Sequence, residues 1–341
     1  MLMKHVKPIV VLVSSLFVII LLIPTLLVIP FADKTSGQLV EDLQKREDKV
    51  LNTPGPAVEV AVYRTKTKQI EKAQLEDYVV GVVSAEMPAE FEIEALKAQS
   101  LAARTYIVKQ LLSDSSLSVP KGADVTDTVQ HQVYHNKEEL KKLWGRDYEW
   151  KMEKVEKAVA QTSGRILTYD NTPIDAVFFS TSNGYTEDSE AYWSNSMPYL
   201  KSVASPWDKE SPKYMDQTVL SVSEFERKLG VQLSGGETLG KIIERTPGQR
   251  IKLISINGKE LTGKEIREKL QLRSTDFNWT RKGDQIVITT KGYGHGIGMS
   301  QYGANGMASE GKNYQDIVTY YYQGADVSSY DSFLSKLTAK Q

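Results

Sequence analysis

The hydrophobic pattern of this chain changes character from one stretch to the next, and each pattern predicts a different element. The longest apolar run, Pro8 to Ala32, reads PIVVLVSSLFVIILLIPTLLVIPFA and contains no charged residue. At helical rise it exceeds the roughly 20 residues needed to cross a bilayer core, so a tilted span is expected. Lys4, His5 and Lys7 precede it, and Asp33 and Lys34 follow it, which places everything after residue 33 outside the cytoplasm. The apolar region of a cleaved signal peptide is shorter, about 7–15 residues, and no small-x-small site follows here. A retained signal anchor over 8–32 is therefore expected, after a cytoplasmic tail over 1–7. The polar stretch 33–56 ends in Pro54-Gly55-Pro56 and reads as a stalk.

Beyond residue 57 the pattern becomes globular. Val58 to Tyr63 alternates as a strand does, and Thr65 to Gln69 supplies a turn. Leu75, Tyr78, Val79, Val82 and Val83 recur at helical spacing until Pro88 enforces a stop. A second helix is expected over Glu92–Leu112, where Ala95, Ala98, Ala102 and Ala103 allow close packing. Gly164 to Tyr169, an Asp170-Asn171 turn and Ile174 to Phe179 predict a β-hairpin. The segment 209–280 is more charged, carries an Asn257-Gly258 turn and reads as an inserted lobe, with a further strand at Gln285–Thr290. The expected fold class is α+β: antiparallel strands with flanking helices around a long substrate cleft, preceded by one transmembrane helix. The catalytic domain is expected over 57–325 and a C-terminal tail over 326–341.

Composition narrows the chemistry. Lysine and arginine total 42 against 43 acidic residues, and setting aside Lys4 and Lys7 leaves a net charge near −3. Without a basic excess, nucleic acid is not an expected partner. The absence of cysteine removes every thiolate chemistry, from a nucleophile to a cysteine-ligated zinc. His131 and His135 have a spacing that a helix could present on one face, but no clear third ligand accompanies them, so no metal is expected. No other cofactor is expected either.

Three constellations remain. Glu86 ends the first apolar helix on the face of Leu75, Val79 and Val82, where desolvation would raise its pKa and suit it to general acid work. An ordinary glutamate of a terminal turn is the alternative. On the next helix Lys97, Ser100 and Arg104 fall on one stripe, either a solvated face or a grip on an acidic or amide-rich substrate. Near the C-terminus the run Gly292-Tyr-Gly-His295-Gly-Ile-Gly-Met-Ser300-Gln301-Tyr302-Gly lets backbone approach a ligand or another segment. Its spacing fits neither a dinucleotide fingerprint nor a P-loop, and His295 can be a structural residue or a site residue. Between them, Ser182-Asn183-Gly184-Tyr185-Thr186 leads to Tyr192-Trp193 and Pro198-Tyr199-Leu200. Hydroxyls beside aromatic faces suit either a sugar-binding cleft or a loop packed by aromatics.

Two long motifs resemble the stage II sporulation protein D family. One is Ser84-Ala-Glu-Met-Pro-Ala-Glu-Phe91 with Glu94-Ala-Leu-Lys-Ala-Gln-Ser-Leu-Ala-Ala-Arg-Thr-Tyr106; the other is Gly294-His-Gly-Ile-Gly-Met-Ser-Gln-Tyr-Gly303-Ala304. The hairpin, Trp193 with Pro198-Tyr-Leu200, and the single anchor fit the same pattern, so the resemblance spans about residues 55–325. It implies a lytic transglycosylase that cleaves the MurNAc–GlcNAc bond of peptide-stripped peptidoglycan strands. Such a reaction leaves 1,6-anhydro ends and serves septal wall remodelling and engulfment during endospore formation. It implies Glu86 as the catalytic residue, with Lys97, Arg104, Thr186, Tyr199 and Tyr322 as candidate substrate contacts; Ser100, Ser182, His295, Ser300 and Gln301 join them as candidates from the constellations above. The implied partners are glycan strands, a cell-wall amidase and a polytopic membrane protein of the engulfment complex. The implied location is the mother cell's septal and engulfing membrane. A non-catalytic, glycan-binding activator of an amidase is the rival reading.

Overall fold

The computed structural model describes residues 58–113, 119–193, 195–233 and 239–333. The expected anchor over 8–32 and stalk over 33–56 lie outside them; among the described residues no helix is long and apolar enough to cross a membrane. The architecture is mixed α and β, with mostly antiparallel strands, in keeping with the expected class.

Strand β1 (Glu59–Arg64) turns inward Val60, Val62 and Arg64, as period-two alternation demands. It pairs antiparallel with β2 (Gln69–Gln74). Helix α1 (Leu75–Glu86) follows at once and buries Tyr78, Val79, Val80, Val82 and Val83. Pro88 ends it, because the residue before a proline is driven out of the helical region; Met87 is extended at φ −123°, ψ 134°. Helix α2 (Ile93–Leu112) is the centre of the molecule. Its alanines let α1 and later helices approach closely, and most of its residues are buried. β3 (Val125–Thr126) adds parallel to β1. α3 (Lys137–Trp144) opens on a capping box of Asn136 and Glu139, and α4 (Tyr148–Ala160) packs on α2.

The expected hairpin is only partly formed. β4 (Arg165–Tyr169) pairs with the two-residue β5 (Thr172–Pro173) across Asp170-Asn171, both at positive φ. The chain then leaves that sheet, and β6 (Phe178–Phe179) pairs elsewhere. The single turn α5 (Ser189–Tyr192) follows.

A second hydrophobic core runs from Leu220 to Ile288, past the expected limit at 280. It is enclosed by β7 (Met215–Ser221), α6 (Val222–Leu229), β8 (Lys241–Arg245), β9 (Ile251–Ile256), β10 (Lys259–Thr262), α7 (Gly263–Leu270), β11 (Phe277–Lys282) and β12 (Gln285–Lys291). These strands form two sheets, ordered β10-β9-β8 and β11-β12-β7. The strand expected after the lobe, β12, is in fact the middle of its second sheet. Phe225, Ile254, Ile266, Phe277 and Ile288 meet between the layers.

On return to the body, β13 (Met299–Ser300) pairs parallel with β6. α8 (Gln301–Ser309) is capped by Ser300 and α9 (Tyr314–Tyr321) by Asn313. The residues expected to begin a tail at 326 instead form β14 (Asp326–Ser329) on the free edge of β4, and Tyr330 is buried.

Candidate active site at the Glu86 turn

Glu86 is the last residue of α1, and its carboxyl is half-buried. Its Oε1 accepts a hydrogen bond from the Val133 amide at 3.1 Å, and its backbone carbonyl accepts one from Gln301 Nε2 at 3.0 Å. Burial raises its pKa above the ordinary glutamate value, opposed by the Val133 amide. Among the described residues no basic side chain pairs with it, so only the Val133 amide favours its anion. It is a carboxyl group suited to carrying a proton.

The strap from His131 to Asn136 that supplies Val133 is firmly fixed. Tyr78 donates to Gln132 Oε1 at 3.2 Å, and the Tyr134 ring stacks on Tyr78 with centroids 5.4 Å apart. The Arg64 guanidinium lies 4.9 Å from the Tyr134 centroid and is itself held by Glu71, Asp127 and Glu139. His131 and His135 sit in this strap and not on a helix; His131 Nδ1 faces the Thr126 hydroxyl. Ser84 Oγ, His131 Nε2 and Gln132 Nε2, close in sequence to Glu86 or to Val133, are buried without a protein partner. A cleft of about 410 Å³ adjoins the strap, lined by Glu71, Asp77, Gly81, Tyr134, His135 and Lys137 among others, but not by Glu86.

The cationic stripe expected on α2 is internal. Arg104 is fully buried; it forks onto Glu76 and donates to the carbonyls of Val159, Thr162 and Arg165. Ser100 is buried and returns its hydroxyl to the Leu96 carbonyl. Lys97 is mostly covered, pairs with Glu94 at 2.6 Å and lies 5.8 Å from the Tyr314 ring centroid. The stripe is internal for two reasons: Arg104 meets Glu76 on α1, which a helical wheel of α2 cannot show, and Lys97 meets Glu94 one turn earlier on α2 itself.

The remaining candidates are largely buried in the body, with Ser182 and Ser300 around Asp208. Asp208, fully buried, accepts from the Ser182 amide at 2.7 Å and from the hydroxyls of Ser182, Ser205 and Ser300. Burial still raises its pKa above the usual aspartate value. Ser300 thereby ties this cage to the start of α8, where Gln301 reaches Glu86. Thr186 is buried and bonded to Lys201 O and Val203 N. The Tyr199 hydroxyl donates toward Asp175, and burial pushes its pKa up to about 12. Tyr322 is buried and donates to the Val177 carbonyl at 2.8 Å. Glu187 bonds Thr246, the Gly248 amide and, at 3.8 Å, Arg250; Asp188 accepts from the Ser202 amide. None of these carboxylates hydrogen-bonds to Glu86.

The glycine run threads between body and lobe. At Gly298, φ is +78° and a Cβ would lie 2.1 Å from the Val177 carbonyl, so only glycine lets β13 enter beside β6. His295 is half-buried among Phe179, Tyr192 and Trp193. Burial, with the Arg267 and Arg250 guanidinium groups, holds its pKa down at about 4. Its Nδ1 accepts from the Ile297 amide.

An aromatic, basic surface begins one residue beyond Gln301. Tyr302 packs edge-on against Phe91; Lys213 Nζ lies 6.0 Å from the Tyr302 centroid and 5.7 Å from that of Tyr293. Tyr293 is 39 % exposed, with Arg273 at 5.2 Å on its ring. Tyr302 stood within the glycine-rich motif, but nothing in the sequence signalled Lys213 or the Val133 amide.

A family model described as stage II sporulation protein matches residues 63–169. The stage II sporulation protein D of Bacillus amyloliquefaciens is 55% identical over 343 residues, covering 98% of this chain and 100% of that protein. That of Bacillus subtilis (strain 168) is also 55% identical, over 96% of this chain and 98% of the relative. A Bacillus subtilis protein named amidase enhancer is 32% identical over 73% of this chain and 40% of its own length. With both motifs in place around Glu86 and relatives matched from end to end, the chain belongs to the stage II sporulation protein D family.

Proposed function

We propose that the chain is a peptidoglycan lytic transglycosylase acting in the wall remodelling of endospore formation, with Glu86 as its catalytic acid and base. The observation that carries this reading is the state of Glu86. It is a carboxyl raised in pKa by burial, aimed by one backbone amide and, among the described residues, without a carboxylate partner. Glycoside hydrolases use two carboxyl groups, one of them to activate water or to attack the sugar. A reaction that needs only one is transfer to the sugar's own hydroxyl. The Glu86 carboxyl protonates the bridging oxygen as the C1–O bond breaks. The resulting carboxylate then takes the proton of the 6-hydroxyl as that oxygen bonds to C1, and no water is consumed. Tyr302, Lys213 and Tyr293 offer stacking faces and positive charge for the flanking sugars. A single-pass membrane location and contact with an amidase and a polytopic membrane protein belong to the same proposal.

The test is the incubation of full-length protein, in mild detergent, with peptide-free glycan strands. Products reading one water lighter than reducing ends are expected from the wild type, and a rate about 10²–10⁴-fold lower from Glu86→Gln. Ordinary reducing ends would mean hydrolysis and a second carboxylate. The name of the amidase-enhancer relative favours a second reading, a non-catalytic activator of an amidase. In that case no glycan products form, and Glu86→Gln still stimulates the amidase fully.

A further inference from the structure

The cluster around His295 is not used by the chemistry at Glu86. The Tyr192, Trp193 and His295 rings, each half-buried, lie with centroids 6.0–6.3 Å apart. At Tyr192 this cluster meets two cations from one face of α7, three residues apart. Lys264 Nζ is 4.6 Å from the Tyr192 centroid, and Arg267 Nη1 donates to the Tyr192 hydroxyl at 3.1 Å. Among the described residues neither cation has a carboxylate partner. The neighbouring carboxylates are engaged elsewhere: Glu187 with Thr246 and Arg250, Glu190 with Lys201, Asp188 with the Ser202 amide. Aromatic rings beside cations without a carboxylate partner suit a ligand that is flat on one side and anionic at its edge.

Resting on the glycan-cleaving reading, we propose that Tyr192, Trp193 and His295 with Lys264 and Arg267 form a subsite for a sugar ring bearing a free carboxylate. In a wall glycan that group is the lactyl carboxylate of a muramic residue without its peptide. A neutral N-acetyl sugar gains the stacking alone. A residue whose lactyl group is an amide loses the charge that the two cations meet. His295 stays neutral well below pH 7, so it does not compete as a third cation. A subsite shared by lobe and body thus reads the chemical state of the strand that the body cuts.

The experiment measures equilibrium binding of full-length Glu86→Gln protein to two probes. One is a set of peptide-free GlcNAc–MurNAc oligomers; the other is the same oligomers with each carboxylate converted to a methylamide. The free acid is expected to bind about tenfold tighter, with the gap narrowing at high salt. In Lys264→Gln/Arg267→Gln the ratio is expected to fall near one, while affinity for the methylamide changes less than about twofold. Lys264 is exposed, so Lys264→Glu alone keeps the fold and is expected to reverse the preference. A ratio that survives these changes, or an equal loss for both probes, overturns the proposal and leaves the cations as a clamp between lobe and body. Because binding is read without turnover, the two readings fail separately. Anhydro products from wild type with no preference for the free acid would overturn the subsite alone.

Discussion

Glu86 and Asp208 are carboxyl groups whose pKa burial raises in both cases, yet their surroundings differ. Asp208 is enclosed by one backbone amide and three serine hydroxyls, and it ties the segments at 182 and 205–208 to the start of α8. Glu86 has one amide on one oxygen and a half-open flank. Desolvation alone therefore does not mark a reacting group. The number of donors already spent on it separates a carboxylate that holds a structure from one free to move a proton.

The comparison can be broken most sharply at the reaction itself. Asp208→Asn is expected to leave glycan cleavage, per folded molecule, within a few-fold of wild type, where Glu86→Gln removes nearly all of it. An equal loss in both would make Asp208 part of the chemistry. Next in size is Arg104→Ala, which strands Glu76 and three carbonyls and is expected to cost about 3–5 kcal/mol in urea unfolding. Lys97→Ala, losing only a mostly covered neighbour pair, is expected to cost less than about 1 kcal/mol. Asp208→Asn itself should cost about 1–3 kcal/mol, because an amide cannot accept from all four donors.

The smallest effect carries a sign. The folded pKa of Glu86 lies above its unfolded value near 4.5, so its contribution is full below that pH and is lost as pH rises through the folded value. Glu86→Gln should therefore gain stability relative to wild type between pH 4 and pH 7. A loss over that interval would mean the carboxylate is stabilised as an anion, and it would then be a poor acid. His295 runs the other way: its lowered pKa gives stability present above pH 6.5 and lost as pH falls toward about 4.

Local order was legible in the sequence. The period of Leu75 to Val83, the stop at Pro88 and the alanine face of α2 predict their helices because i,i+3 and i,i+4 contacts are written in adjacent residues. The turn at Asn257-Gly258 was legible for the same reason. Pairings across the chain were not. β6 and β13 are two residues each and about 120 apart in sequence, too short to carry a pattern. Arg104 looked free because Glu76 lies 28 residues away on another helix. Within the site, Glu86 stood out through its apolar setting. The Val133 amide that aims it is backbone, which no residue type announces, and the Asp208 cage draws on serines scattered from 182 to 300.

The pairing of Met215 with Lys291 at the mouth of the lobe bears on how the molecule is assembled. Some seventy-five residues leave and re-enter the body through two points only about 5 Å apart. Such a segment is a cassette with an interior of its own, tied to the body through bonds that include those of Glu187 to Thr246, Gly248 and Arg250. During synthesis it can fold from contacts local to itself, before residues 292–333 have arrived to complete the body. Any capacity that resides in the cassette can therefore be gained, lost or exchanged without rebuilding the turn that holds Glu86.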